Sequence, residues 1–298
     1  MLPSLSDTLL RNIYKFIYKI FYPKTYKHNR RFWPLYRVQR NEHGRLEKVY
    51  FKNQLVSDNL MIQPSTTSKC MLIATGPSIQ QLPNEVFQKT DIDYIGVNGA
   101  IALDNIHYNS YIIIDHNFVD ARFDLVEKVL QSNCTFYTTP RCLDMILRRI
   151  KFTDIQCSIK TIETITRDLM EVFLDEEMLV NKTAEHFFIH DDFGFSKDIF
   201  NGTFDYFTVA YVALQIVNSL NYTEIFIAGL DMSNFSKPRF YETTDDKQPT
   251  LLDIHSETVL RAFDTAALFF KEHQINVYNL SPNSAVESFE KRSFEVIQ

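Results

Sequence analysis

The sequence predicts an α/β fold in which helices cover both faces of a parallel sheet. From residue 70 onward, short apolar runs of strand length alternate with longer segments of helical periodicity. The 298-residue chain is 45% hydrophobic, which is enough for one large domain or two small ones. We predict strands at residues 70–75, 94–98, 110–114, 134–138, 224–229 and 275–279, and helices near 79–89, 118–131, 140–150, 205–220 and 257–273.

Residues 1–60 differ in character from the rest and are predicted to form a separate segment. The apolar residues of its first part recur at helical spacing, and residues 8–37 carry basic side chains but no acidic one, although the whole chain has a net charge of -6. This pattern predicts an amphipathic basic helix that contacts an anionic membrane surface; the alternative is a helix packed on the domain. Residues 36–60, with a turn at His43-Gly44, are predicted to form a hairpin and linker, and we expect residues 1–40 to be dispensable for folding. The apolar residues are Leu9, Leu10, Ile13, Phe16, Ile17, Ile20 and Phe21, and the basic ones are Arg11, Lys15, Lys19, Lys24, Lys27, Arg30, Arg31 and Arg37.

Residues 61–298 are predicted to be the main domain, with an acidic, helical insertion or lid at about 150–200. The overall acidic charge is unlike that of a nucleic-acid-binding protein. The four cysteines form no CxxC pair, which indicates buried thiols in a reducing compartment. No apolar stretch approaches the ~20 residues of a membrane span, and no signal peptide is evident. We expect a cytoplasmic protein that is peripheral on the inner face of the cytoplasmic membrane; the oligomeric state stays open.

Small and polar residues follow the predicted strands, at the edge where open α/β sheets bind ligands. The run Thr75-Gly76-Pro77-Ser78 ends the first strand and opens a predicted helix, a geometry that suits a phosphate or a ribose. It matches neither the P-loop nor the GxGxxG pattern. The sequence therefore predicts a Rossmann-like, nucleotide-binding domain. The other strand ends carry Asn98-Gly99, Asp115-His116-Asn117, Gly229-Leu230-Asp231 and residues 279–284.

We predict no metal site. Asp91-Ile92-Asp93 is formally a DxD motif, but it precedes a strand, and we interpret it as a solvated turn. Asp115 and His116 are better placed, but one carboxylate and one histidine are fewer ligands than a metal site needs.

Several of these runs resemble known glycosyltransferases. Residues 71–82, 95–98, 221–232 and 277–286 resemble the bacterial sialyltransferases of glycosyltransferase family 42. Residues 194–242, with GFSKDI, the GLD strand end and PRFY, resemble more closely the WaaZ-type lipopolysaccharide core enzymes. The resemblance covers about residues 70–290.

The resemblance implies a CMP-activated 2-keto sugar acid as donor. The WaaZ-type enzymes imply transfer of Kdo (3-deoxy-D-manno-octulosonic acid) from CMP-Kdo to the inner core of lipopolysaccharide. A CMP-sialic acid-dependent sialyltransferase acting on surface glycans is the alternative, and a non-catalytic nucleotide-binding protein held at the membrane is another. Because such a donor has one phosphate, we expect activity without a metal or other cofactor.

The resemblance also implies roles for particular residues. Tyr241 is expected to help the phosphate depart, and Arg239 to supply charge because Ser233 stands where a second tyrosine is expected. His255 is the expected general base, with His116 as competitor and Asp115 or Asp231 as further candidates. We expect Gly76→Val to abolish donor binding while the fold persists, and His255→Ala to lose turnover only. The donor site is expected to comprise Thr75, Gly76, Pro77, Ser78, Asn98, Asp115, Lys197, Thr208, Gly229, Asp231, Asn283 and Ser284.

Overall fold

A computed structural model describes residues 5–61, 65, 67–233 and 235–297, with side chains from residue 12 onward. Its α-helices are α1 (Leu5–Phe21), α2 (His116–Ala121), α3 (Phe123–Leu130), α4 (Pro140–Leu147), α5 (Val209–Ser219) and α6 (Ser256–Glu272). Its strands are β1 (Tyr36–Arg40), β2 (Leu46–Phe51), β3 (Gln54–Asp58), β4 (Lys69–Ile73), β5 (Asp93–Val97), β6 (Tyr108–Ile113), β7 (Thr135–Thr138), β8 (Ser158–Thr161), β9 (Thr164–Thr166), β10 (Leu169–Met170), β11 (Met178–Leu179), β12 (Phe187–His190), β13 (Phe193–Ser196), β14 (Thr203–Phe204), β15 (Glu224–Ala228), β16 (Asn276–Asn279) and β17 (Glu290–Lys291).

An eight-stranded parallel sheet forms the centre of the fold, in the order β17-β16-β15-β4-β5-β6-β7-β8. It contains all six predicted strands. The sequence did not predict β8 or β17, because β8 reads Ser-Ile-Lys-Thr and β17 has two residues. Lys160 of β8 is nevertheless buried, and its ammonium group donates hydrogen bonds to the carbonyl oxygens of Asp58 and Met61.

Helices cover both faces of this sheet, as predicted. Strand residues alternate between the faces: Leu72 packs in one core with residues of α5 and α6, whereas Ile73 packs in the other with residues of α2, α3 and α4. The fold class predicted from the sequence is confirmed.

The strand order reverses between β4 and β15, which are neighbours in the interior of the sheet. From β4 the chain adds β5 to β8 on one side, and β15 is followed by β16 and β17 on the other. Hydrogen bonding continues past both strand ends, from the Ala74 N–H to the Ala228 oxygen at 2.8 Å and from the Gly76 N–H to the Gly229 oxygen at 2.9 Å. Such a reversal opens a crevice at the carboxyl edge of an α/β sheet.

Two predicted helices differ in the structure. Residues 79–89 form two short 3-10 helices, Pro77–Gln81 and Asn84–Gln88, because Pro83 lacks the N–H group that a continuous helix needs. The segment 118–131 is divided between α2 and α3 by Arg122, whose backbone is not helical.

Residues 150–200 contain no α-helix, although a helical insertion was predicted there. They contribute β8 to the central sheet, strands β9, β10 and β11 to a small sheet with β14, and the hairpin of β12 and β13. The run Thr161-Ile162-Glu163-Thr164-Ile165-Thr166 alternates with period two and is rich in β-branched residues, which favours strands.

Residues 36–58 form the three-stranded antiparallel sheet β1-β2-β3, where a hairpin and linker were predicted. This sheet packs on β8: Asn59 Nδ2 donates to the Thr161 oxygen at 2.9 Å, and Arg40 pairs at 2.5 Å with Glu163, which is buried. The preceding 3-10 helix, Lys24–Arg31, is anchored by buried Asn29, which bonds to the backbone of residues 174 and 175. These contacts argue against the expectation that residues 1–40 are dispensable for folding.

Helix α1 leaves apolar side chains exposed. Tyr18 is buried, stacks on Tyr22 and lies near Trp33, whereas Phe16 is 67% exposed and Phe21 75% exposed. The side chains of Leu9, Leu10 and Arg11 lie outside the described residues. In the part of the chain that the structure describes, no helix is long and apolar enough to cross a membrane.

Candidate active site

A cavity of about 750 Å³ lies where β4, β5, β6 and β15 end, beside the start of α5 and the loop that follows β15. Its position is the crevice at the reversal of strand order. The structure brings together along its wall the following predicted site residues: Thr75, Gly76, Pro77, Asn98, Asp115, His116, Thr208, Gly229, Asp231, Arg239 and Tyr241.

Other predicted site residues do not line this cavity. Lys197 is exposed beyond β13, and Asn283 is exposed in the loop after β16. Ser284 is buried, and its hydroxyl donates to the Leu230 oxygen at 2.5 Å. This hydrogen bond ties the loop after β16 to the end of β15.

The carboxylate of Asp231 occupies the turn Thr75-Gly76-Pro77-Ser78 that follows β4. Asp231 Oδ2 accepts the Ser78 N–H at 2.9 Å, and its Oδ1 accepts the Ser78 hydroxyl, which also lies 2.8 Å from the Ser281 hydroxyl. A phosphate therefore finds neither a free Ser78 N–H nor an α-helix N-terminus here, which corrects the predicted role of Ser78. The close packing at Gly76 has the same origin, because an added Cβ would lie 2.5 Å from both Asp231 Oδ2 and the Gly229 oxygen. Gly76→Val would therefore disturb the fold, contrary to expectation.

Asn98 keeps an unsatisfied polar atom. Its backbone is left-handed, with φ 45°, and its carbonyl accepts the Tyr111 hydroxyl at 2.7 Å. Its side-chain Oδ1 is buried and has no hydrogen-bond partner among the described residues. A buried acceptor without a partner costs free energy unless a ligand supplies a donor.

Tyr241 and Arg239 lie on the loop side of the cavity. The Tyr241 ring packs directly on Gly99, and the Arg122 guanidinium lies 5.2 Å from its centre. Burial raises the pKa of Tyr241 to about 12, so its hydroxyl keeps the proton and acts as a hydrogen-bond donor. Arg239 is paired at 2.7 Å with the buried Glu242 carboxylate, so part of its charge is already neutralised.

The two candidate histidines occupy different positions. His116 lines the cavity, and burial, assisted by the charge of Arg141, lowers its pKa. His255 immediately precedes α6 and stacks on Phe207 at 3.8 Å. Phe207 lines the cavity, whereas His255 does not.

The sequence interpretation missed Asp205, Lys237 and Lys247, which also line the cavity. Asp205 lies between β14 and α5, where an acidic residue before an apolar helical run was available as a signal. The Lys247 ammonium donates to the oxygens of Phe235 and Ser236 at 2.8 and 3.0 Å, whereas exposed Lys237 forms no ion pair within the described ranges. Neither lysine belongs to a recognisable motif.

The DxD run lies at the opposite edge of the sheet. Asp93 begins β5 and is buried, where it accepts the Tyr222 hydroxyl at 2.7 Å, so the interpretation as a solvated turn is wrong for this residue. Asp91 is exposed and lies 3.4 Å from Lys69. Among the described residues, no group of three or more His, Cys, Asp or Glu side chains is arranged to hold a metal ion.

Comparison with known proteins agrees with the resemblance seen in the sequence. Residues 189–290 match the family model described as 3-deoxy-D-manno-octulosonic acid transferase WaaZ. A probable 3-deoxy-manno-octulosonic acid transferase of Salmonella typhimurium is 25% identical over 259 residues, covering 76% of this chain and 86% of the relative. One from Escherichia coli is 28% identical over 246 residues, covering 76% and 82%. The predicted resemblance to WaaZ-type Kdo transferases is confirmed.

Solved structures of sialyltransferases are also similar. The monofunctional alpha-2,3-sialyltransferase Cst-I of Campylobacter jejuni matches with 12% identity and a TM-score of 0.47, covering 80% of this chain and 84% of that one. CstII of the same organism, in complex with cytidine-5'-monophosphate, matches with 15% identity and a TM-score of 0.45, covering 77% and 86%.

Proposed function

We propose that this chain is a glycosyltransferase that transfers Kdo from CMP-Kdo to the inner core of lipopolysaccharide. One observation carries the proposal: the segment that matches the Kdo transferase family, residues 189–290, supplies a large part of the cavity wall. The match thus coincides with the candidate site and not only with the core. Among the wall residues it contributes are Asp205, Thr208, Asp231, Lys237, Arg239, Tyr241 and Lys247.

The cavity suits a nucleotide sugar in size and chemistry. Its volume of about 750 Å³ lies within the usual range of ligand pockets, roughly 300–1,000 Å³. Its wall combines cationic and hydroxyl donors, Lys237 and Tyr241, with the buried acceptor of Asn98. A CMP-linked sugar acid has a phosphate and a carboxylate to meet the donors, and hydroxyl groups to meet the acceptor.

The leaving group needs stabilisation as the glycosidic bond to phosphate breaks. The bonding electron pair goes to the phosphate oxygen of CMP, whose negative charge increases. The neutral Tyr241 hydroxyl and the Lys237 ammonium are suited to donate hydrogen bonds to that oxygen. With one phosphate to stabilise, the Lys237 charge and the Tyr241 hydrogen bond take the place of the metal ion that neutralises a diphosphate, so we propose a metal-independent reaction.

The lipid-borne acceptor accounts for the exposed apolar side chains of α1. Phe16, Ile20 and Phe21 point into solvent beside a basic segment, an arrangement suited to an anionic bilayer surface. We propose that the protein is peripheral on the inner face of the cytoplasmic membrane, where it meets lipid A–core.

The test is release of CMP by the purified full-length chain. CMP-Kdo and CMP-sialic acid are each supplied with lipid A–core, and each donor is also incubated without acceptor. We expect acceptor-dependent release from CMP-Kdo and a mass increase of one Kdo on the acceptor. Transfer from CMP-sialic acid alone would indicate a sialyltransferase, and consumption of neither donor would leave a non-catalytic nucleotide-binding protein; both results contradict the proposal.

A further inference from the structure

Asp205 is the carboxylate in the cavity with unused hydrogen-bonding capacity. Its Oδ1 is buried and has no hydrogen-bond partner in the described part of the chain. Among the described residues, the other wall carboxylates, Asp115, Asp120, Asp231 and Glu242, have no oxygen that is both buried and without a partner. An unpaired buried oxygen is costly, and catalytic sites are where such a cost is commonly retained.

The backbone around Asp205 is held firmly. Its N–H donates to the Ile165 oxygen at 2.9 Å, and the preceding Phe204 N–H donates to buried Gln215 Oε1 at 3.0 Å. The loop therefore fixes the carboxylate at the start of α5, where Thr208 and Phe207 also face the cavity. A group that must accept a proton in the transition state benefits from such fixed placement.

The electrostatic surroundings make Asp205 more basic than an ordinary aspartate. Burial, with a smaller contribution from the nearby Asp115 carboxylate, raises the pKa of Asp205 to about 6, although hydrogen bonds from the N–H groups of Phe207 and Thr208 lower it. A base is most effective when its pKa lies near the working pH. The other titratable or charged groups of the cavity wall are His116, Asp120, Asp231, Lys237, Arg239, Tyr241, Glu242 and Lys247, and His255 lies behind Phe207.

We propose that Asp205 accepts the proton of the attacking acceptor hydroxyl. This inference rests on the proposed transferase function. The hydroxyl oxygen forms the new bond to the anomeric carbon, the bond from that carbon to phosphate breaks, and CMP leaves with the electron pair. The hydroxyl proton passes to the Asp205 carboxylate and is released to solvent after the product departs. His255, the base expected from the sequence, does not line the cavity and stacks on Phe207, which does.

The experiment compares Asp205→Asn with the wild type and with Asp191→Asn. Asp191 is exposed in the turn between β12 and β13, outside the cavity, so its substitution makes the same charge change without touching the site. We expect Asp205→Asn to bind CMP normally, to melt no lower than the wild type, and to lose about 100-fold or more in kcat. Asp191→Asn is expected to turn over at the wild-type rate.

The pH profile separates a proton acceptor from a structural role. Because the base must be deprotonated, wild-type kcat is expected to decrease as the pH is lowered below about 6. The residual kcat of Asp205→Asn is expected to be independent of pH in that range. His255→Ala is expected to keep that acid limb, whatever its rate.

The other possible results of these experiments each lead to a different conclusion. Asp205→Asn with wild-type kcat would overturn the inference and leave the transferase function intact. Weakened CMP binding with unchanged kcat would make Asp205 a nucleotide contact, and loss of the acid limb in His255→Ala alone would restore the histidine. A wild-type protein that consumes no donor would overturn the function and, with it, the inference.

Discussion

Gly76 and Asp231 illustrate at the scale of single residues how the carboxyl edge of the sheet is closed. Asp231 lies 153 positions after Ser78, and its carboxylate accepts hydrogen bonds from both the N–H and the hydroxyl of that serine. Gly76 is required beside it because the space for a side chain is occupied by Asp231 and the Gly229 backbone. The turn thus joins β4 to β15, and Thr75, Gly76 and Pro77 also line the adjoining cavity.

This packing predicts that Gly76→Ala lowers stability. The added Cβ has no room, and overpacking of this kind costs roughly 1–3 kcal/mol in the free energy of unfolding. Urea unfolding followed by circular dichroism measures it. Gly44→Ala is the control: its φ of 82° is strained for alanine, but no atom lies within 4 Å of the added Cβ. Equal stability of Gly76→Ala and the wild type would show that Asp231 moves aside freely.

The sheet β1-β2-β3 and helix α1, both near the amino end of the chain, contact the rest of the protein in different ways. The sheet β1-β2-β3 is joined to the domain by buried polar contacts. The Glu163 carboxylate forms an ion pair with the Arg40 guanidinium and accepts a hydrogen bond from the Phe173 N–H. Helix α1 is held mainly by aromatic contacts of Tyr18 and leaves apolar residues in solvent. Folding therefore depends on the sheet, and the helix is available for another surface.

Arg40→Met is expected to destabilise the protein by roughly 3–5 kcal/mol, because it leaves the buried Glu163 carboxylate unpaired. Chemical denaturation measures the loss. Arg37→Met is the matched control on the same strand, where the exposed Arg37 side chain lies over the Tyr50 ring and we expect a cost of about 1 kcal/mol or less. Adding Glu163→Gln to Arg40→Met should recover stability, since glutamine keeps the acceptor for Phe173 without a charge. A double variant as unstable as Arg40→Met would contradict the electrostatic explanation.

Substituting Phe16 and Ile20 by serine together is expected to reduce membrane binding at least tenfold without lowering the melting temperature. Both side chains are largely exposed, at 67% and 62%, so their loss removes apolar area from the bilayer contact and not from the core. Cosedimentation with vesicles of phosphatidylethanolamine and phosphatidylglycerol measures binding. Leu60→Ser with Met61→Ser, exposed apolar residues after β3, is the control. Unchanged binding of the α1 variant would rule out the helix as the membrane contact.

The whole molecule combines an acidic chain, a basic amino-terminal segment and a cavity whose cations are lysine and arginine. In the function we propose, these cations neutralise the donor phosphate without a metal ion. The DxD run takes no part, because β5 begins with Asp93 at the edge away from the cavity.

Turnover of CMP-Kdo is therefore expected to persist in excess EDTA, with kcat within about twofold of the untreated enzyme. The protein is dialysed against the chelator, and CMP release is then measured with and without added Mg²⁺ or Mn²⁺. Loss of activity that either ion restores would contradict this expectation and would point to Asp115, the carboxylate of the metal candidates that lines the cavity.

The sequence by itself determined the parallel sheet, its six main strands and the edge that carries the site. Those features follow from the periodicity of apolar residues and from small or polar residues at strand ends. Both are local patterns that can be recognised within a short segment of the sequence. Only the tertiary structure decided that Asp231 binds Ser78 in the first turn, that residues 36–58 pack on β8, and that Asp205 lines the cavity and keeps a buried oxygen without a partner among the described residues. Each of these depends on which distant groups meet and on which buried atoms find a partner. Because these hydrogen bonds and buried contacts join segments that are far apart in the chain, the local sequence pattern does not predict them.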